Sequence, residues 1–98
     1  MLFVVRLTDR PDSLQVRKQF LPAHLSWLEQ HQDAILVAGS LRTEPDSAPV
    51  GGCWIVEAAS KSEVVSLLQT DPFWINELRQ SFEILHWSKA FPERKVPV

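Results

Sequence analysis

The 98-residue sequence has little cysteine, little glycine and no excess of basic residues. Its single cysteine, Cys53, excludes an internal disulfide framework and any metal or iron–sulfur site built from four cysteines. Ten basic against 12 acidic residues give a net charge of −2, which provides no positive patch for nucleic acid. No run reaches the roughly 18 apolar residues that a membrane span needs. We therefore expect neither a nucleic-acid partner nor a membrane partner.

The three glycines form no phosphate-binding loop, and together with a hydrophobic fraction of 45% they favour a folded globular chain. This length predicts a single domain over residues 1–98. The first residues, 1–6, enter a strand-like segment directly, without the charged start and apolar middle of a signal peptide. We therefore expect a cytoplasmic protein.

The apolar pattern predicts the element order β-α-β-β-α-β. The predicted strands are 2–8, 34–41, 53–58 and 81–89, the helices run from about 14 to 32 and from 63 to about 69, a hairpin loop covers 42–52 and a tail begins at about 91. Asp12 or Ser13 suits the N-cap of the first helix, and Pro22 should kink or divide that helix. Ser60 and Glu63 form a capping box for the second helix.

This order is that of the ferredoxin-like α+β fold, a four-stranded antiparallel sheet with both helices on one face. The first two strands are nevertheless apolar on both of their faces. Two helices cover only one face of such a sheet, so another surface must bury the second one. The simplest solution is a second copy of the chain, and we predict a homodimer through the open sheet face.

His24 interrupts the apolar stripe of the first helix. The flanking apolar side chains are Phe20, Trp27, Leu21, Leu25 and Leu28. A buried imidazole without a partner costs about 1–3 kcal/mol, so a partner is expected. The helical rise places Asp71, beyond the second helix, within about 6 Å of the same level.

If the two side chains meet, the carboxylate orients the imidazole and fixes its tautomer, which makes His24 a candidate general acid or base. In the alternative, His24 is a core histidine bonded to a backbone carbonyl and Asp71 only caps a short helix that begins at Pro72. Arg6 is a candidate for binding an anionic substrate group, or else it pairs with a carboxylate. Ser40 offers a hydroxyl to the same region, although serine is common at strand ends.

Other chemistry-bearing residues form no recognisable motif. His31, His86 and Cys53 lack metal-ligand spacing, and we expect neither a metal nor a cofactor. The third strand carries no lysine or arginine beside Trp54, which argues against an RNA-binding sheet. The four tryptophans either line an aromatic cavity or pack in the core: Trp27, Trp54, Trp74 and Trp87.

Three short motifs stand in order along the chain: Pro-Ala-His-Leu at 22–25, Ala-Gly-Ser-Leu at 38–41 and Asp-Pro-Phe at 71–73. Together they resemble the YciI-like family of the dimeric α/β barrel superfamily, from the first strand to about residue 91. The resemblance implies face-to-face sheets in a homodimer, a pocket in each subunit and a catalytic pair at His24 and Asp71. The chain departs from many relatives in having Leu21 instead of a basic residue and Ser40 instead of a proline.

The sequence therefore predicts a cofactor-independent enzyme. His24, held by Asp71, would move a proton on a small cyclic or unsaturated acid-type substrate, in an isomerisation, elimination or dehydrohalogenation. Arg6 and Ser40 would orient that substrate. The alternative function is that of a non-catalytic dimer that binds a small ligand or serves as an accessory subunit.

Overall fold

A computed structural model describes residues 1–97, which form four strands and three helices. In chain order they are β1 (Leu2–Asp9), α1 (Leu14–Gln30), β2 (Ile35–Leu41), β3 (Gly51–Glu57), α2 (Lys61–Leu68), α3 (Pro72–Ile75) and β4 (Arg79–Trp87). None of these helices is long and apolar enough to cross a membrane.

The strands form one antiparallel sheet in the order β2-β3-β1-β4, with the helices on one side. The predicted ferredoxin-like α+β fold is confirmed. The two central strands, β1 and β3, pair in a register that places Val5 opposite Trp54. Their helix-facing side chains and those of α2 form the core, with Phe3, Val5, Leu7, Trp54, Val56, Val64 and Leu68 at most 3% exposed.

The helix α1 runs without interruption through Pro22, so its predicted division is wrong. Pro22 lacks an N–H and leaves a carbonyl in the preceding turn without its helical partner. Because Pro22 lies on the exposed side of α1, water can take the place of that donor.

The buried stripe of α1 is narrower than predicted. His24 and Trp27 are buried, whereas Leu21 and Leu25 are 38% and 54% exposed. The helical layer is one helix thick, and no described element covers the flank on which these leucines lie. The apolar pattern alone therefore predicts a wider contact between α1 and the rest of the protein than the structure has.

The predicted capping signals are present with small differences. Ser60 is the N-cap of α2, and its hydroxyl accepts a hydrogen bond from the Glu63 N–H. The Glu63 carboxylate accepts from the Ala59 N–H, one residue earlier than in the standard capping box. Ser13 is the N-cap of α1 but makes no side-chain capping bond.

Two strands begin earlier than predicted. The strand β3 starts at Gly51, inside the predicted loop, because this glycine approaches the backbone of β1. A Cβ at Gly51 would collide with the carbonyl oxygen of Leu7. The strand β4 starts at Arg79, directly after the left-handed Glu77 and the buried Leu78.

The open face of the sheet carries an apolar row that crosses all four strands. In order it consists of Val37, Ile55, Val4 and Leu85, which are paired neighbours in the register. The C-terminal segment 89–97 lies beside this face and borders with it a cavity of about 960 Å³ that is open to solvent. The predicted two-sided apolar character of the strands is thus present in the structure.

Candidate active site

His24 and Asp71 are in direct contact between α1 and α3. The Nδ1 atom of His24 lies 2.7 Å from Oδ1 of Asp71, and the side chains are 8% and 0% exposed. The proximity predicted from the helix lengths is therefore present. With Asp71 ionised, Nδ1 donates the hydrogen bond and the lone pair of the neutral ring resides on Nε2.

Asp71 is held in place by the start of α3. As its N-cap, Asp71 accepts a hydrogen bond at Oδ1 from the Phe73 N–H at 3.0 Å, and Pro72 occupies the first helical position. The capping role and the contact with His24 therefore coexist on one oxygen. The other oxygen, Oδ2, is buried and has no hydrogen-bond partner within residues 1–97.

Aromatic side chains enclose the imidazole of His24. The Phe73 ring stacks on it with a centroid distance of 4.1 Å and an interplanar angle of 17°. The Trp27 ring lies 6.1 Å away at 21°, and its Nε1 donates to the Thr70 hydroxyl at 3.0 Å. These contacts fix both the plane and the position of the imidazole.

The Nε2 atom of His24 is free to act. No other residue of the described chain hydrogen-bonds to it, and it is not among the fully buried unpaired atoms. The slight exposure of the side chain therefore includes this nitrogen. An oriented imidazole with one anchored and one accessible nitrogen can accept or donate a proton.

Sequence reasoning missed a buried ionic cluster next to this pair. Asp9 receives hydrogen bonds from Arg17 and Arg79, one on each carboxylate oxygen, both at 2.6 Å. Burial lowers the pKa of the Arg79 guanidinium, although Asp9 acts in the opposite direction. One signal was available, because Arg17 precedes His24 by seven residues and thus shares its face of α1.

Arg6 does not join His24. It points to the open face of the sheet because its neighbours Val5 and Leu7 point to the helices, and side chains alternate along a strand. Its guanidinium lies 3.7 Å from the carboxylate of Glu83, and both side chains are more than half exposed. The predicted place of Arg6 in the His24 pocket is corrected, and the alternative pairing with a carboxylate is what the structure shows.

Ser40 lies near the ionic cluster. It pairs across the strands with Gly52, where an added Cβ would come within 3.2 Å of the Arg79 guanidinium. The Ser40 hydroxyl is exposed and accepts a hydrogen bond from Arg42 at 3.3 Å. The structure therefore places Ser40 at the rim of the helix-covered face, without a contact to His24.

The tryptophans are divided between several environments, so they do not line one cavity. Trp27 and Trp54 pack against each other in the core, Trp74 packs on Phe82, and Trp87 is exposed on the open face. Within residues 1–97, no three histidine, cysteine, aspartate or glutamate side chains come together as a metal site. The 960 Å³ cavity lies on the opposite face of the sheet from His24, so the chemistry, not the cavity size, locates the candidate site.

Similar solved structures agree with this fold. One is 5-chloro-2-hydroxyhydroquinone dehydrochlorinase from Burkholderia phenoliruptrix in complex with 2,5-dihydroxybenzoquinone, with a TM-score of 0.82. Its sequence is 35% identical, over 90% of this chain and 94% of that chain. A protein from Bacteroides thetaiotaomicron is 16% identical with a TM-score of 0.59, over 99% and 95% of the chains. An antibiotic biosynthesis monooxygenase is 17% identical with a TM-score of 0.54, over 92% and 99%.

The two more distant structures show the fold alone, and no curated protein sequence matches the chain. The family model of the YCII-related domain matches residues 1–88, from the start of β1 to the residue after β4. This range includes His24, Asp71 and the ionic cluster around Asp9. The chain belongs to the YCII-related domain family.

Proposed function

We propose that the protein is a cofactor-independent enzyme in which His24, oriented by Asp71, is the general base and acid for a small cyclic organic substrate. The observation that carries this proposal is the buried 2.7 Å contact between Nδ1 and Asp71, with Nε2 left unpaired. The Asp71 contact satisfies Nδ1 and fixes the tautomer, and the slight exposure of the side chain leaves Nε2 accessible for proton transfer.

The reaction begins when Nε2 of His24 takes a proton from a hydroxyl or carbon of the substrate. The Asp71 carboxylate stabilises the imidazolium that forms, as an aspartate does beside histidine in hydrolytic triads. In an isomerisation, the proton returns to a different atom of the substrate. In a dehydrohalogenation of a hydroxylated ring, the proton taken from one hydroxyl returns to the halogen-bearing carbon and gives a keto tautomer. A second hydroxyl proton then passes to solvent, the carbon–halogen bond breaks, and halide leaves with its electron pair to give a quinone.

The similarity to the dehydrochlorinase supports a hydroxylated, halogenated ring as the substrate and dehydrohalogenation as the reaction. Phe73 and Trp27 are buried and contact the imidazole itself, so they hold the proposed base in place for the ring that it would act on. Proton transfer by a positioned side chain contributes about 10²- to 10⁴-fold to a rate.

The experiment measures chloride release from 5-chloro-2-hydroxyhydroquinone by the wild-type protein and by the His24→Ala variant. We expect turnover by the wild type and a loss of about 10²- to 10⁴-fold in kcat for His24→Ala. Circular dichroism should show an unchanged fold. His86→Ala is the control, because this exposed histidine of β4 lies away from the site and should leave kcat unchanged.

A His24→Ala variant that retains most of the activity would contradict the proposed role. If the wild type binds the compound without releasing chloride, the non-catalytic ligand-binding function is favoured. If His24→Ala unfolds, the histidine is structural and the enzymatic proposal loses its main support.

We also propose that the protein acts as a homodimer whose open sheet faces meet. The apolar row from Val37 to Leu85 supports this arrangement, because no helix covers it: Leu85 is 46% exposed and the other three side chains are half-buried, which favours association with a second apolar surface. The resemblance to dimeric α/β barrels adds the geometry, in which two four-stranded sheets close against each other.

A further inference from the structure

Phe73 connects the candidate catalytic pair to the ionic cluster. Its ring stacks on the His24 imidazole, and its N–H donates to the Asp71 oxygen that holds the same imidazole. On the side of the cluster, the guanidinium carbons of Arg17 and Arg79 lie over the same ring, at 5.3 and 5.1 Å from its centroid. Phe73 itself is fully buried.

The two arginines are in turn fixed by one carboxylate. Asp9 binds both of them through separate oxygens at 2.6 Å, and its side chain is only 6% exposed. Charge-assisted hydrogen bonds of this length are strong and directional. The guanidiniums therefore cannot leave the Phe73 ring without breaking their bonds to Asp9.

The strands leave room for this arrangement. Gly52 has no side chain, and the guanidinium of Arg79 lies close to its backbone. A Cβ on Gly52 would lie only 3.2 Å from Nη2 of Arg79. Arg17 reaches the cluster from α1, two turns before His24 on the same face. The Phe73 ring thus lies between Arg17 and His24 of α1.

The cluster is a costly way to fill a core. Arg79 is 3% exposed, its burial lowers the pKa of its guanidinium, and its Nε has no hydrogen-bond partner in the part of the chain that is described. The Nε of Arg17 is also buried and unpaired there. Apolar residues of similar volume commonly give equal or greater stability than such buried ion pairs. Stability alone therefore does not account for the cluster.

We propose that Phe73 is a positioning residue for His24, and that Arg17, Asp9 and Arg79 form a clamp that holds Phe73. The clamp fixes the ring by cation–π contact, the ring fixes the plane of the imidazole, and the Phe73 N–H fixes the carboxylate. This inference rests on the proposed function, because positioning matters for catalysis only if His24 transfers the proton.

The first test follows the His24 ring by nitrogen-15 NMR, with no ligand present. Once the nitrogen shifts show a neutral ring, the wild-type ring should be a single tautomer protonated at Nδ1. Phe73→Leu removes the stack, and Asp9→Asn loosens the clamp at nearly constant shape. Both variants should show a mixture of tautomers or a broadened Nδ1 proton signal.

The second test measures chloride release from 5-chloro-2-hydroxyhydroquinone. Misplacement of a catalytic group by about 1 Å costs up to 10²-fold in rate, so kcat should fall about 10- to 100-fold in both variants. The KM should change less than about twofold, because neither residue is placed in substrate contact. Phe82→Leu is the control for Phe73→Leu, because Phe82 also packs against the core. Glu83→Gln is the control for Asp9→Asn, because Glu83 is an exposed carboxylate that also pairs with an arginine. Both controls should leave the His24 signal and kcat unchanged.

The positioning role is overturned if both variants fold and keep the wild-type tautomer and kcat. It is also overturned if both variants unfold, because the residues would then act on stability. If the wild type releases no chloride but the His24 signal still changes in the variants, the positioning holds and the proposed reaction fails. A changed signal with unchanged kcat would show that His24 is positioned but not catalytic.

Discussion

The two faces of the sheet differ in a way that burial alone does not predict. The helix-covered face contains four ionisable side chains with at most 8% exposure: His24, Asp71, Arg79 and Asp9. The open face displays an apolar row from Val37 to Leu85. Four charged or ionisable side chains thus lie within an otherwise apolar core, and an apolar row lies on the uncovered face, two local reversals of the usual distribution.

Each reversal indicates a role. Burying ionisable groups costs free energy that apolar packing would save, so the groups on the covered face are best explained by a function of their geometry. Exposing an apolar row costs little in one chain but favours association with another. The comparison therefore supports the proposed chemistry on the helix-covered face and the proposed assembly on the open face.

The largest effect is expected on dimerisation, from Ile55→Lys in the middle of the apolar row. This substitution tests whether the open face is the association surface. A lysine there would be buried without a partner between two sheets, so we expect dimerisation to weaken by at least about 100-fold. Analytical ultracentrifugation should show twice 11.2 kDa for the wild type and 11.2 kDa for the variant.

Leu25→Lys is the control for this substitution, because Leu25 is exposed on the outer side of α1. Its mass should remain that of the wild type. A wild-type protein that sediments as a monomer at micromolar concentration would exclude the proposed dimer.

A moderate effect is expected from a pair of glycine substitutions on the open face. At Gly51 a methyl group meets the Leu7 carbonyl, whereas at Gly39 nothing lies within 4 Å. We expect Gly51→Ala to lower the free energy of unfolding by about 1–3 kcal/mol and Gly39→Ala to change it by less than about 0.5 kcal/mol. Urea unfolding in the Ile55→Lys background measures both without a contribution from association. Equal effects would show that the close approach at Gly51 is relieved without cost.

The smallest effect is expected from Arg6→Met. The ion pair with Glu83 is 3.7 Å long and exposed, and such pairs contribute about 0–1 kcal/mol. Neither kcat nor KM for 5-chloro-2-hydroxyhydroquinone should change measurably. A KM raised tenfold or more would restore Arg6 as a substrate-binding residue and would require the open face to contribute to the site.

The sequence predicted the parts of the structure that depend on periodicity and helix length. The element order and the sheet follow from the apolar periodicity. The helix lengths place His24 and Asp71 at similar heights, and the structure adds that their side chains are in contact. The face of the sheet to which Arg6 points also follows from the sequence, because side chains alternate along a strand and Val5 and Leu7 point to the helices. Of the two roles predicted for it, pairing with a carboxylate is the contact that the structure shows.

Other features depend on contacts between distant parts of the chain, which no local pattern reveals. Arg79 was missed because the strand β4 begins after a left-handed residue, where no apolar alternation marks its start. The local sequence around Gly51 predicts a loop, whereas the structure places Gly51 in β3, where its backbone lies against that of Leu7. Leu21 and Leu25 looked buried because a helical stripe does not tell how many neighbours will cover it.

The double use of one Asp71 oxygen has a consequence for motion in the molecule. The same atom that starts α3 also anchors the imidazole of His24. Fraying of that single helical turn would free the Asp71 carboxylate from the Phe73 N–H and would loosen the oxygen that holds the His24 ring. Local order in a four-residue helix thus contributes to the order of the imidazole that it anchors.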